Sequence, residues 1–245
     1  MEHLYATGCK VLTNRLAALR QRTLLRTPLR SRIAMFHDIC LDGQTPSDDY
    51  ACPLGGLQNC VDRHLNGGWR ATALDELLGL PYREAKQGRF VLTFDDGYAS
   101  VATLAAPYLA ARGVPFAIFP ITEKIGEAGY LTAQQLRELA AEPLCTIGSH
   151  TVTHPMLRFL PRDRALAELA DSKKMLEDLL GRPVEHLAFP YGSAYAVCAR
   201  DLRLAAGCGY RSALLTTATA YSRFPAGNYS LPRLDRPDVQ DKMQK

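Results

Sequence analysis

The chain has 245 residues, 47% of them hydrophobic, and a formal net charge of +4 at pH 7. This length and composition favour one large globular domain, because α/β barrels commonly reach this size as a single unit. No run of about 18 apolar residues is present, so no membrane span is expected. The seven scattered cysteines form no Cys-x-x-Cys pair, which argues against a disulfide framework and against a thiolate zinc site.

Positive charge is concentrated in residues 1–32, here called the basic leader, which holds seven Lys or Arg residues against Glu2 alone. The leader lacks the uninterrupted apolar core of a signal peptide, so a cytoplasmic location is expected. The leader is a candidate for peripheral contact with an anionic membrane at its inner surface, although the composition favours the alternative of a solvated helix or a disordered arm. No aromatic residues interleave these arginines, so nucleic acid is not an expected partner. Residues 33–245 are then the main domain.

Predicted strands and helices alternate along this domain. Strands are predicted over 33–36, 69–72, 90–94, 114–119, 145–148, 187–189 and 210–217. Helices are predicted over 54–65, 74–78, 101–112 and 166–180, around Leu136 and Leu139 after a capping box of Thr132 and Gln135, and from a cap at Ser193 to an end at Gly207. About seven strands, most of them followed by a helix, predict a parallel sheet with crossover helices. A closed or nearly closed barrel fits this pattern better than an open sheet. The segment from Tyr221 onwards looks irregular.

Polar side chains follow four of these strands directly. They are His37, the pair Asp95 and Asp96, His150, and Tyr191. In a parallel barrel the carboxyl ends of the strands form one face, and that face hosts the active site. The sequence therefore predicts that these residues share a site.

The adjacent acids Asp95 and Asp96 are the first sign of a metal ion. Like charges repel, so the pair is stable only with a cation nearby, and one carboxylate can then bind a metal while the other accepts a proton. A solvated turn is the alternative interpretation of Asp-Asp-Gly. His150 and His154 have the spacing His-x-x-x-His, and two histidines with one carboxylate are a common catalytic zinc set. Pro155 disfavours a continuing helix, so a turn is expected there.

Two segments carry a family resemblance. Thr93-Phe94-Asp95-Asp96-Gly97 and His150-Thr151-Val152-Thr153-His154 resemble the first two motifs of the polysaccharide deacetylase (NodB-like) family, also called family-four carbohydrate esterases. The resemblance covers roughly residues 33–235 and implies a deformed (β/α) barrel of about seven parallel strands. It also implies that Asp95 is the general base and that Asp96, His150 and His154 hold one divalent ion, with zinc as the first candidate.

The third motif departs from the common family form. Many members have Arg-x-Pro-Tyr, whereas this chain has Ala188-Phe189-Pro190-Tyr191-Gly192 and so lacks the arginine that would steady the base. Arg233 is a candidate replacement, although a solvated tail arginine is the interpretation that the sequence favours.

The amino-terminal part of the domain is instead similar to the branch that deacetylates bacterial poly-N-acetylglucosamine. In that branch the motif order is circularly permuted, and Phe36-His37 matches the permuted histidine. The resemblance therefore implies that His37 is the general acid. Without the resemblance, a core histidine bonded to a neighbouring carbonyl is the more natural interpretation.

The expected activity is metal-dependent hydrolysis of an N-acetyl group on an amino-sugar glycan, an oligosaccharide or a glycan precursor, with release of acetate. The Tyr191 backbone N–H is expected to bind the oxyanion, and Pro190 and Tyr191 to contact the substrate. One alternative is a hydrolase of another non-peptide C–N bond, such as a cyclic amide or formamide. The other is a non-catalytic glycan-binding module on the same fold, which is disfavoured because the base and all three metal ligands are present.

Overall fold

The computed structural model describes residues 30–44, 50–217 and 228–235. Residues 1–29 of the basic leader lie outside the described residues, so its membrane contact and its boundary with the main domain remain predictions. The first strand begins at Arg32, one residue before the predicted start. Within the described ranges, no helix is both long enough and apolar enough to cross a membrane.

Eleven strands occur in the described residues, and every strand pairing is parallel. They are β1 (Arg32–Phe36), β2 (Ile39–Cys40), β3 (Cys52–Pro53), β4 (Arg70–Ala71), β5 (Arg89–Asp96), β6 (Phe116–Pro120), β7 (Cys145–Ile147), β8 (His186–Ala188), β9 (Ser212–Leu215), β10 (Leu231–Pro232) and β11 (Leu234–Asp235). The α-helices are α1 (Leu54–Asn66), α2 (Leu74–Gly79), α3 (Tyr82–Ala85), α4 (Ala106–Ala111), α5 (Ala133–Ala141), α6 (Arg162–Leu180) and α7 (Ala199–Gly207).

The longer strands are connected in a ring. One sheet has the order β11-β1-β5-β6-β7, and a second has the order β10-β9-β8. A parallel bridge between Ser149 and Leu187 joins β7 to β8, and the segment 231–235 pairs with β9 through β10 and with β1 through β11. These contacts confirm the predicted deformed α/β barrel of about seven parallel strands.

Side-chain alternation explains how the barrel interior is filled. Ile33 of β1 and Val91 of β5 belong to an inner cluster with Phe119, Ala188, Leu214 and Leu231, whereas Ala34 and Leu92 pack outward under the helices. Because successive side chains of a strand point to opposite faces, Asp95 follows Val91 on the inner side, and His37 follows Ile33. Leu74, Leu77 and Leu78 of α2 pack into the same inner cluster, so α2 covers its end opposite the predicted site.

Three predictions about elements are wrong in detail. The segment 231–235 is not an irregular tail but forms β10 and β11, which Pro232 and the short pairings conceal in the sequence. The helix predicted from a cap at Ser193 to Gly207 is α7, which begins only at Ala199 and ends at Gly207 as predicted. The helix predicted over 101–112 starts as a π-helical turn, Val101–Ala105, and Pro107 lies in the first turn of α4, where its missing N–H is tolerated. The capping box of Thr132 and Gln135 is confirmed.

Candidate active site

A pocket of about 120 Å³ opens at the carboxyl ends of the strands. It is lined by Met35, His37, Tyr50, Asp95, Asp96, His150, His154, Tyr191, Thr216 and Asp235. Six of the seven predicted site residues are therefore brought together. The exception is Pro190, which is buried beside the pocket and uses its carbonyl to accept the Gly192 N–H at 2.7 Å. This hydrogen bond shapes the turn that carries Tyr191, and the substrate contact of Pro190 stays a prediction.

Asp95 is a buried anion with a buried cation beside it. Only 2% of Asp95 is exposed, so it is not part of a solvated turn. Arg233, which is fully buried between β10 and β11, donates from Nη1 to Oδ1 at 2.6 Å and from Nη2 to Oδ2 at 2.7 Å. Burial raises the pKa of the Asp95 carboxyl, but the charges of Arg233 and His150 outweigh burial and bring the pKa down to about 2. Asp95 is therefore ionised at neutral pH and is available as a proton acceptor.

This bidentate pair corrects the prediction that Arg233 is a solvated tail residue. Its guanidinium approaches Asp95 from the position between β10 and β11, 138 residues later in the chain. The third motif itself has Ala188 where many family members have arginine. Planar guanidinium groups match carboxylates with two parallel hydrogen bonds, which orient the acid as well as compensate its charge.

Asp96, His150 and His154 converge on one point. Asp96 Oδ1 lies 3.4 Å from His150 Nε2 and 3.6 Å from His154 Nε2. Ligand atoms about 2.0–2.1 Å from a tetrahedral ion are about 3.3–3.4 Å apart, so these separations fit a zinc-sized ion. Within the described ranges, Asp96 Oδ1 is also buried without a hydrogen-bond partner, as expected of a ligand atom.

The histidine rings are prepared for such an ion. His150 Nδ1 lies 2.7 Å from the Ala188 carbonyl, and a proton donated there leaves Nε2 facing Asp96 with its lone pair. Burial lowers the pKa of His150, but the carboxylates of Asp95 and Asp96 outweigh burial and raise it. Burial and the charge of His150 lower the pKa of His154 to about 4, so the His154 ring is neutral at neutral pH.

Backbone strain is concentrated at this site. The non-glycine residues with positive φ in the described part of the chain are Asp96, Thr151, His154 and Tyr191, with φ between 59° and 67°. Such angles are uncommon for residues with a Cβ and persist only where the surroundings enforce them. Asp96 and His154 are candidate metal ligands, Thr151 is adjacent to His150, and Tyr191 lines the pocket. The strained backbone conformations therefore position side chains of the site.

Helix α6 holds the loop that carries both histidines. Glu168 accepts hydrogen bonds from the N–H groups of Val152 and Thr153 at 2.8 and 2.9 Å and from Thr153 Oγ1 at 2.7 Å. One turn further along α6, Ser172 is hydrogen-bonded to Ser149 at the start of the loop. The sequence pattern did not identify either helix residue, because their partners lie about 15 to 23 residues away along the chain.

His37 and Tyr191 reach the pocket from opposite ends of the chain. The His37 ring lies 5.1 Å from the Tyr50 ring. Its Nδ1 is buried and has no hydrogen-bond partner in the described part of the chain, so that atom is not bonded to a carbonyl there. The Tyr191 ring lies 4.8 Å from His154. Gly192 has φ +55°, and a Cβ there would collide with Thr216, so glycine is required directly after Tyr191.

Sequence reasoning missed four lining residues, namely Met35, Tyr50, Thr216 and Asp235. Asp235 is paired in register with Met35 of β1, and its buried Oδ1 has no hydrogen-bond partner among the residues that the structure describes. Its only sequence signal was its position two residues after Arg233. The register of β11 against β1, which local sequence does not reveal, brings it to the pocket.

Comparison with known proteins agrees with this geometry. The family model described as polysaccharide deacetylase matches residues 82–213. A Bacillus subtilis protein named as a polysaccharide deacetylase, YxkH, is 30% identical over 210 residues, which cover 84% of this chain and 71% of the relative.

Solved structures show the same fold. The Streptococcus pyogenes deacetylase PplD, in complex with acetate, has a TM-score of 0.74 and 22% identity and covers 89% of this chain and 100% of its own. IcaB from Ammonifex degensii has a TM-score of 0.72 and 23% identity, covering 89% and 98% respectively. With a family model that matches more than half of its length, and with a deacetylase-named relative aligned over most of both sequences, the chain belongs to the polysaccharide deacetylase family.

Proposed function

We propose that the protein is a metal-dependent hydrolase that removes N-acetyl groups from an amino-sugar glycan and releases acetate. The observation that carries the proposal is the convergence of Asp96, His150 and His154 beside the Asp95–Arg233 pair in one pocket. Membership of the polysaccharide deacetylase family supports the choice of an acetylated glycan as substrate.

Asp96, His150 and His154 would hold one divalent ion. One carboxylate and two imidazoles form a three-ligand set with an open position, for which zinc is the first candidate. When bound, the ion would supply Lewis acidity and a lowered pKa for a water molecule at that position.

The protein's own groups account for the proton transfers. Asp95, ionised and oriented by Arg233, accepts a proton from the water that attacks the acetamide carbonyl carbon. The C–N bond then breaks, and His37 donates a proton to the departing amine. Free amine and acetate result, and the proton taken by Asp95 balances the proton given by His37 once both groups are reset by solvent.

The loop after β8 contributes a donor for the developing oxyanion. Pro190 has no N–H, and the Gly192 N–H is bonded to the Pro190 carbonyl. The Tyr191 N–H is therefore the candidate oxyanion donor on this turn.

Neither alternative activity is favoured by a specific feature of the pocket. A hydrolase of cyclic amides or formamides is expected to have a narrow pocket without aromatic side chains for stacking on sugar, whereas Tyr50 and Tyr191 line this one and are each 44% exposed. A binding module has no need of the base, which here is buried, ionised and held by two hydrogen bonds.

Acetate release and metal content test the proposal together. Protein prepared without chelator is expected to contain about one equivalent of a divalent metal and to release acetate from at least one of a panel of N-acetylated polysaccharide, peptidoglycan fragments, lipid-linked sugars and short oligosaccharides. Asp96→Asn should lose the metal. Asp95→Asn should keep it and lose turnover by about 100-fold or more.

The variant His37→Ala tests the proposed role of the general acid separately from that of the base. It should retain the metal, hydrolyse the amide substrate slowly, and lose much less activity on an activated aryl acetate, whose leaving group needs no proton. Asp178→Asn, an exposed surface change, serves as the control. Absence of acetate release from every member of the panel by metal-loaded protein would refute the proposed function.

A further inference from the structure

Ser100 lies at the start of the helical segment that follows the two adjacent carboxylates. It comes four residues after Asp96 and directly before the π-helical turn Val101–Ala105. A serine at this position normally accepts a hydrogen bond from an N–H of its own helix, but Ser100 makes no such cap bond. A π-helical turn is itself rare and is frequently found at functional sites. The hydroxyl group of Ser100 therefore serves a different contact.

That hydroxyl group binds the loop that follows β1. Ser100 Oγ donates to Asp38 Oδ1 at 2.6 Å and accepts from the Ile39 N–H at 3.0 Å. Asp38 and Ile39 come directly after His37, the proposed general acid, and they lie 62 and 61 residues before Ser100. One side chain therefore links the loop that carries the proposed acid to the segment that follows Asp96.

The position of the His37 ring depends on this loop. Nδ1 of His37 has no hydrogen-bond partner within the described ranges, so a bond at that atom does not orient the ring. On the amino side of His37 the backbone is held by β1, which pairs with β5 and β11. On the carboxyl side it is held by Ser100 and by the Cys52 N–H, which donates to the Asp38 carbonyl at 2.9 Å. The backbone contacts at Asp38 and Ile39 therefore limit where the His37 ring can lie.

The segment that carries Ser100 is itself held in place. The Ala99 N–H donates to the Gly129 carbonyl at 2.9 Å, and the Leu131 N–H donates to the Gly97 carbonyl at 2.8 Å. These bonds fix the main chain between the end of β5 and the π-helical turn. The hydroxyl group therefore connects the loop after β1 to a segment with a defined position beside the pocket.

We propose that Ser100 is a positioning residue that acts through Asp38 and Ile39 to set the distance between the His37 ring and Asp96. The proposal rests on the proposed function, in which His37 donates a proton to the departing amine and Asp96 is a metal ligand. Proton transfer requires the donor to lie within hydrogen-bond reach of the leaving nitrogen, so displacement of the loop slows that step. Ser100 itself contacts neither the substrate nor the ion in this assignment.

Substrates whose leaving groups differ in their need for a proton test this role. Ser100→Ala is expected to lower kcat for an N-acetylated amino-sugar substrate by about 10-fold or more, because the acid is displaced from the leaving nitrogen. The loss should be much smaller for an activated aryl acetate, and the zinc dissociation constant should be unchanged. Ser100→Thr, which keeps a hydroxyl group, should recover most of the rate. Thr103→Ala, which removes an exposed hydroxyl group from the same helical segment, is the matched control.

Asp38→Ala removes the other side chain of the link. If the two residues act through one hydrogen bond, the double variant of Ser100→Ala and Asp38→Ala should lose no more kcat than the more damaging single variant. Two losses that multiply would show that the residues act independently, and they would overturn the proposed link.

NMR spectra of the histidine rings provide a readout that does not require turnover. With the His37 signal assigned by its loss in His37→Ala, Ser100→Ala should shift that signal and leave those of His150 and His154 in place. This shift supports the positioning role even if acetate is released from no member of the substrate panel. An unshifted His37 signal, or a loss of zinc affinity as large as the loss of rate, overturns the role while leaving the proposed function intact. A lower Tm with unchanged kcat also overturns it, because Ser100 would then contribute to stability alone.

Discussion

A buried carboxylate is stable as an anion only when a cation compensates it, and Arg233 occupies that position beside Asp95. Thr93 adds to the same network, since its Oγ1 lies 3.3 Å from Arg233 Nη1 and donates to the Ala34 carbonyl. Asp95, which is the proposed base, therefore forms one buried polar unit with Thr93 and Arg233. Loss of one member leaves the others with an unpaired charge or lone pair.

Removing the cation should therefore cost stability in proportion to the charge left behind. We expect Arg233→Met to lower the free energy of unfolding by about 3–5 kcal/mol, because a buried pair is broken by removal of one partner. In an Asp95→Asn background the same change should cost much less, since no anion remains. Urea denaturation of the four proteins measures the difference, and equal losses in the two backgrounds would show that Arg233 does not stabilise the Asp95 charge.

The fold-level role of these residues was only partly visible in the sequence. Strand-end positions of His37, Asp95 and His150 followed from local apolar runs, and those placements agree with the structure. The burial of Arg233 did not follow from the local sequence, because Asp95 lies 138 residues away. The strands that flank Arg233, β10 and β11, are also only two residues long each. Pairing across that distance depends on the contacts of residues 231–235 with β1 and β9, which a local sequence pattern does not reveal.

Helix α6 is the element that keeps the histidine loop in its strained conformation. Glu168 accepts hydrogen bonds from Val152 and Thr153. These two residues lie between Thr151 and His154, which both have positive φ. Without these bonds the loop is free to relax toward more common angles, which would move the His154 ring away from Asp96. The helix thus acts on the candidate metal ligands without contacting an ion.

Glu168 substitutions should consequently change metal affinity rather than chemistry. Glu168→Ala is expected to raise the zinc dissociation constant by about 10- to 100-fold, and Glu168→Gln by less, because one amide oxygen remains to accept. Chelator competition measures the constants, and circular dichroism checks that α6 persists. Asp171→Ala, which removes an exposed carboxylate from the same helix, is the matched control. An unchanged zinc dissociation constant in Glu168→Ala would show that α6 does not position the candidate metal ligands.

In the whole molecule, the candidate active site and a network of polar contacts lie at opposite ends of the barrel. The carboxyl ends of the strands carry the pocket, whereas α2 covers the opposite end of the inner cluster. There Asp75 of α2 accepts from His186 Nε2 of β8 at 3.0 Å and from Arg211 Nη1, just before β9, at 3.0 Å. Glu185 Oε2 also accepts a hydrogen bond from Arg211 Nη1, at 2.8 Å. Side chains of α2, β8 and β9 are thus joined far from the reacting groups, as in other α/β barrels.

This network predicts a pH-dependent stability that does not involve the active site. The hydrogen bond from His186 and the charges of His186 and Arg211 outweigh burial and lower the pKa of Asp75 below its usual 3.8. A lowered folded-state pKa contributes stability above about pH 4 and loses it as the pH falls through the folded value. Asp75→Asn should therefore have a lower Tm than the wild type at pH 5 to 7, with a gap that narrows as the pH falls below about 4.

Asp178→Asn tests the specificity of that effect. Its carboxylate pairs with Lys174 on the exposed face of α6, and such surface pairs contribute little. We expect no comparable gap in Tm at any pH. A gap for Asp75→Asn that persists unchanged at pH 3, or one that Asp178→Asn reproduces, would contradict the assignment. Acetate release at pH 7 should be equal in all three proteins at a temperature well below their Tm.

The closing position of β10 and β11 has a consequence for the order in which the protein becomes active during its synthesis. The ribosome makes Asp95 138 residues before Arg233, an interval of roughly 7 to 28 s at usual translation rates. A chain that does not yet include residues 231–235 lacks both the cation that pairs with Asp95 and the strand β11 beside β1. If Asp95 is the base, as proposed, the active site is complete only after residues 231–235 have been made. In the finished protein, local opening of this four-residue closure would abolish turnover while the remaining strands stay paired, so heat should inactivate the protein before it unfolds.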